Sequence, residues 1–269
     1  MERMKLLPLV KAYPALSKSY GEVSCIAGVE ILNDRPGDLI RLYPVPFREL
    51  DEDQKFAKYE VLEVDAEQHS GDPRPETRRP NRDSIEAVGP TLTTENGWSR
   101  RRPFVEPLIA GSMCAIQDAE PESGVSLGIF RPEVVEDFVI EDRDADVERE
   151  RFAEALVAQG SLLADEEKAF QRKAIEQVPY TFKYRYRCAD PNCTGHLQSL
   201  IDWEVVQLYR RVRSKPDWRE RMRAKWLGEI CGADKDTAFI VGNQHQHRNS
   251  FLVLGVWWPP KQPEQLALS

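Results

Sequence analysis

The chain has no apolar run near the roughly 18–20 residues that a membrane-spanning helix requires. Its first residues reach Pro8 and Lys11 before any long apolar core forms, so no secretory signal is expected there. Cysteine is sparse and odd in number, five in 269 residues, which excludes a disulfide framework and suits a reducing, cytoplasmic setting. Histidine is scarcer still, at four. There is no G-x-x-x-x-G-K-[ST] phosphate loop, no G-x-G-x-x-G fingerprint and no G-x-S-x-G elbow. P-loop nucleotide hydrolysis, NAD-linked redox chemistry and α/β-hydrolase activity are therefore disfavoured. Internal repeats and long low-complexity tracts are absent as well.

What remains is an ordinary globular composition, 41% hydrophobic and 30% charged, long enough for one large domain or two modest ones. The net charge of −8 argues against wholesale coating of nucleic acid, but the charge is uneven. Residues 183–225 hold eleven basic side chains against five acidic ones, whereas 133–150 is rich in Asp and Glu. Such asymmetry marks either solvated faces or an electrostatic footprint for phosphates.

The most specific motif runs from Cys188 to His196, with the spacing C-x4-C-x2-H across Cys188, Cys193 and His196. A Pro-Asn pair and a glycine let this segment fold around one point. Two thiolates and an imidazole suit tetrahedral zinc. The fourth ligand is open among Cys231, the pair His245 and His247, and Asp190 or water. Cys231 would close a structural site, while water would leave the open position that catalysis needs. Cys25 and Cys114 lie in apolar surroundings and read as small core residues.

Periodicity gives an α+β reading. The first part, 1–145, is expected to be a β-rich barrel or strongly curved sheet, with strands near 22–32, 39–45, 58–64, 112–117, 125–130 and 134–140. Three prolines in 68–82 point to an exposed loop carrying Arg74, Arg78, Arg79 and Arg82. An acidic helical connector is expected over 146–177, then a small zinc-stabilised domain over 178–269. That domain reads as strand, knuckle, helix, helix, hairpin. Residues 180–187 alternate, with Phe182, Tyr184 and Tyr186 on one side and Lys183, Arg185 and Arg187 on the other. Ile201, Val205, Leu208, Tyr209 and Val212 have helical spacing.

These features point first to a zinc-stabilised protein that binds DNA or RNA. Its phosphate contacts would be Lys183, Arg185, Arg187, Arg210, Arg211, Arg213, Arg219 and Arg223, with Arg74, Arg78 and Arg79 as a second surface. The competing class is a metal-dependent nuclease or phosphoesterase using His196, His245 and His247 with Asp202 or Glu204. The helical spacing from Ile201 onward separates those two carboxylates, and Asp202 would then serve to orient a ligand histidine. A third class is a protein–protein adaptor docking a basic partner on the acidic 133–150 segment.

Overall fold

The apolar run 6–10 and the run over 22–32 become strands that bury side chains on both faces. The computed structural model describes residues 1–17, 21–143 and 178–262. Strand β1 (Glu2–Lys11) pairs antiparallel with β3 (Gly21–Leu32), which also pairs with the short β2 (Ala15–Ser17). The chain then turns directly into β4 (Arg35–Val45). Strand β5 (Leu62–Gln68) pairs antiparallel with β1 and with β6 (Thr77–Pro80), and β6 runs parallel to β4. The ring β1-β3-β4-β6-β5 thus closes into a five-stranded barrel, with β7 (Glu86–Ala87) added beside β5. Leu6, Ile26, Ile40, Leu42, Leu62 and Val64 fill its interior.

The outer side of β1 and β3 is not solvated. Leu7, Leu9, Val10, Ala27 and Val29 pack there against a second sheet of β8 (Leu127–Phe130), β12 (Ala238–Asn243) and β13 (Phe251–Trp257). Gly28 permits the close crossing of β3 over β1, since a Cβ there would stand 2.4 Å from the Leu7 carbonyl oxygen. A third sheet joins β9 (Pro132–Asp142), β10 (Tyr180–Cys188) and β11 (His196–Ser199) in the order β11-β10-β9. Helices α1 (Met113–Ser123), α2 (Trp203–Val212) and α3 (Trp218–Arg223) accompany these sheets, and a π-helical segment, Ala224–Glu229, continues α3. The aromatic face of β10 is core, with Phe182, Tyr184 and Tyr186 packed among Phe138, Trp226 and Phe239.

The mixed α+β class and the N-terminal barrel agree with the sequence reading, and three local expectations change. Residues 112–117 are not a strand but the start of α1, because Ser112 caps it by accepting from the Ala115 N–H at 3.1 Å. The strand expected over 58–64 begins at Leu62, since Tyr59 takes a left-handed conformation at φ 63 and donates its N–H to Pro8. The 68–82 segment is not simply an exposed loop: it contains β6, and Asp72, Arg74 and Thr77 are buried. Strands β8 and β9, read as part of the first unit, pair with β12 and β10. The connector expected over 146–177 lies outside the described residues.

Polar side chains stitch the barrel to the second sheet. Buried Arg41 donates to Thr77 Oγ1 and to both the hydroxyl and carbonyl of Ser126, whose hydroxyl in turn donates to Glu76. Arg74 grips Asp72 with Nε and Nη2 and donates through Nη1 to the Asn243 carbonyl at 2.8 Å. Burial raises the Asp72 carboxyl, but the hydrogen bonds and charge of Arg74 outweigh it and hold it down, to about 2. The folded value lies below the unfolded one, so this contribution is complete above the unfolded value and fades as pH falls through the folded one. We expect about 2 kcal/mol of stability to disappear between roughly pH 4 and pH 2. Urea titrations across that range should lose this increment in the wild type, and Asp72→Asn should not show it.

Candidate metal centre

Strand β10 ends at Cys188, and the next residues turn sharply. Asp190 accepts the Asn192 N–H with its side chain (2.8 Å) and the Cys193 N–H with its carbonyl (3.0 Å), and Gly195 adopts φ +99 before β11 begins at His196. This brings Cys193 and His196 back beside Cys188. The fourth group comes from far upstream: Cys114, the second residue of α1, points into the same space. The four ligand atoms of Cys114, Cys188, Cys193 and His196 all lie within 4.8 Å of one another, close enough to hold a metal ion.

The spacing is informative. Around a tetrahedral ion with bonds of about 2.3 Å to sulfur and about 2.1 Å to nitrogen, donor atoms stand roughly 3.5–3.8 Å apart. Cys114 Sγ lies 3.5 Å from His196 Nε2, and Cys188 Sγ lies 3.6 Å from each of them. A disulfide would need a sulfur separation of about 2.05 Å, and all five cysteines are free. The ring of Tyr186 stacks on His196 at 5.0 Å and helps fix the imidazole. Burial and the neighbouring sulfurs push the Cys114 thiol up, to about 12. Cys188 goes the other way: burial raises it, but backbone N–H groups, His196 and Cys193 more than compensate and hold it near about 6. Three thiols this close cannot all ionise without a cation among them, and the start of a helix is a favourable place for the thiolate of Cys114.

Cys231 is therefore not the fourth member. Its Sγ donates to the Trp226 carbonyl at 3.4 Å, and burial raises its thiol, to about 12. Cys114, read from sequence as a core residue, takes that place. The available signal was its position two residues after a helix-capping serine in a chain with an odd cysteine. His245 and His247 sit exposed on the turn between β12 and β13, and the metal-capable group found among the described residues includes neither.

The helical spacing was expected to keep the two carboxylates apart, but both meet the same ammonium, because Asp202 precedes the helix as its cap. Asp202 caps α2, accepting the Glu204 N–H at 2.9 Å, and its fully buried carboxylate receives Lys58 Nζ at 2.7 and 3.0 Å. Glu204 is exposed and reaches the same lysine at 3.3 Å.

Several of the cations read as phosphate contacts are paired within the chain. Lys183 meets Glu141, Arg187 meets Glu136 at 3.0 Å, Arg219 meets Asp142 at 3.6 Å, and Arg223 meets Asp137 at 2.6 Å. The acidic strand β9 thus lies along the cations of its own chain, and 144–150 falls outside the described residues. Arg210 donates to the Tyr13 hydroxyl at 2.8 Å. Arg78 is held by Gln68 and the Pro75 carbonyl, and Arg74 is buried. Arg79, Arg185, Arg211 and Arg213 are exposed.

Residues 109–269, which contain all four candidate ligands, match the family described as Domain of unknown function (DUF8757). The chain belongs to that family. Residues 2–107 match a second family, Domain of unknown function (DUF8758). The junction falls after the barrel and before α1, so the DUF8757 segment carries the whole centre. No curated protein matches the chain.

Proposed function

We propose that the chain is a nucleic-acid-binding protein whose Cys3His centre holds a structural zinc ion. Three soft thiolates and one imidazole are a zinc-type donor set, and four protein ligands leave no open position for a substrate. That favours a stapled binding module over metal-dependent hydrolysis, as does the engagement of Asp202 by Lys58.

The observation that carries the reading is the barrel. Numbered within the barrel, its five strands pair in the order 1-2-3-5-4-1, with the third and fifth parallel. This is the order of OB-type barrels, which bind oligonucleotides through one strand face and the loops beside it. A fold alone names no function, so the charge distribution matters. Part of the usual strand face is covered here by β8, β12 and β13, which shifts the weight to loops and attached helices. Arg211 and Arg213, at the end of α2, and Arg185, on β10, are exposed. Arg187, Arg219 and Arg223 are 42–56% exposed in their ion pairs. Exposed pairs of this kind contribute only about 0–1 kcal/mol, so a phosphate can displace the carboxylate.

The test is affinity for a mixed panel of DNA and RNA oligonucleotides as salt is varied. We expect binding that weakens with salt, with a logarithmic slope of roughly −0.7 per phosphate contact for single strands. No cleavage should accompany it. Undetectable affinity for every panel member at low salt would eliminate the proposal.

A further inference from the structure

One seam between the barrel and α2 carries half-buried aromatic rings interleaved with cations. The first barrel connection runs past Tyr13, whose N–H donates to the Ile201 carbonyl at 2.6 Å, and this ties it to the start of α2. Tyr13 then lies 5.7 Å, centroid to centroid, from Trp203, and Phe47 lies 6.2 Å from the same indole. All three rings remain partly open to solvent. Lys11 Nζ stands 4.3 Å above the Phe47 ring. The Arg210 guanidinium stands 5.6 Å over the Tyr13 ring. Trp203 and Arg210 are seven residues apart on α2 and so share a face. Two acidic groups at this rim have cationic partners, Glu22 with Arg48 and Glu204 with Lys58.

We propose that this seam binds single-stranded nucleic acid, with bases stacking on Tyr13, Trp203 and Phe47 and phosphates meeting Lys11 and Arg210. The inference rests on the nucleic-acid reading above and assigns it a surface. Partly exposed rings can serve as sequence-tolerant stacking platforms, and arginine stacks on rings while it contacts phosphate. A double helix is the poorer fit, because its bases are already stacked on one another. The seam lies at a barrel loop, the kind of position where OB-type barrels bind oligonucleotides.

The experiment is photocrosslinking of the full chain to a single-stranded oligonucleotide carrying 5-bromouridine, followed by peptide mapping. Affinities of Tyr13→Ala, Trp203→Ala, Trp203→Phe and Arg210→Gln would be measured alongside melting curves. Crosslinks should fall on the peptides containing Tyr13 or Trp203. Trp203→Ala should weaken binding about tenfold and Trp203→Phe less, as expected for loss of one stacked base. Arg210→Gln should flatten the salt slope by roughly 0.7. If Trp203→Ala fails to fold, the crosslink map of the wild type decides. Crosslinks confined to β10 or the 244–250 turn would overturn this assignment and leave the binding reading standing. No affinity in the wild type would remove both.

Discussion

With the proposed zinc at the centre, replacing Cys114 with serine will abolish metal binding and loosen the C-terminal sheets. Protein purified without a metal-affinity step should carry about one equivalent of zinc, and Cys114→Ser and Cys188→Ser should both lose it. Cys231→Ser and His247→Ala should keep it, because neither side chain belongs to the group. The effect should be large because the centre joins elements distant in sequence: Cys114 and Cys188 are 74 residues apart. A structural zinc supplies about 10–16 kcal/mol of apparent binding energy in isolated fingers, comparable to the whole stability of a typical domain. The ion is not the sole support of this region, since Met113, Phe130 and Tyr186 belong to one buried apolar cluster. We therefore expect a loss of about 3–5 kcal/mol and a melting point lower by roughly 10 °C rather than complete unfolding. Chelation of the wild type should reproduce this shift and leave the Cys114→Ser curve unchanged. Retention of zinc by Cys114→Ser, or its loss from Cys231→Ser, would rule out the arrangement.

The contrast between Cys114 and the other three ligands explains what the sequence could convey. Cys188, Cys193 and His196 lie on one turn, so their spacing carries their geometry. Cys114 reaches them only through the docking of α1, and nothing local encodes that. Its surroundings also misled the reading, because Met113, Cys114 and Ile116 resemble a strand until Ser112 is recognised as a cap. The alternation of 180–187 and the helical spacing after Ile201 were legible, since each reports a face buried along its whole length. The proline-rich 68–82 segment was legible as non-helical, but its arginine was misjudged. Asp72 stands two residues before Arg74, and the pair is buried under β12 rather than solvated. The uneven charge was visible from composition. Its disposition was not, because β9 and β10 are separated by a long connection and come together only as neighbouring strands.

Asp202 gives the second large effect, and it separates a structural role from a catalytic one. The carboxylate is fully buried, and Lys58 Nζ, on a side chain 10% exposed, donates to both of its oxygens. Burial disfavours the ammonium, yet Asp202 and Glu204 hold its pKa above the ordinary lysine value, so it stays charged. Asp202→Ala removes the main counter-charge and leaves Glu204 at 3.3 Å on the exposed side. Breaking a buried pair from one side costs about 3–5 kcal/mol. The same change deletes the N-cap of α2, a further loss of about 1 kcal/mol. Asp202→Ala should therefore destabilise the chain by about 4–6 kcal/mol in urea unfolding, more than any exposed ion pair here. Asp202→Asn keeps the cap and should recover about the 1 kcal/mol that the cap contributes. Adding Lys58→Met to Asp202→Asn should restore about 2–4 kcal/mol, because the stranded ammonium is gone. A carboxylate kept for catalysis predicts the reverse: Asp202→Asn would fold with near-wild-type stability, and Lys58→Met would bring no rescue. The double variant distinguishes the two because only a latch between the barrel and α2 makes the cost of one substitution depend on the other.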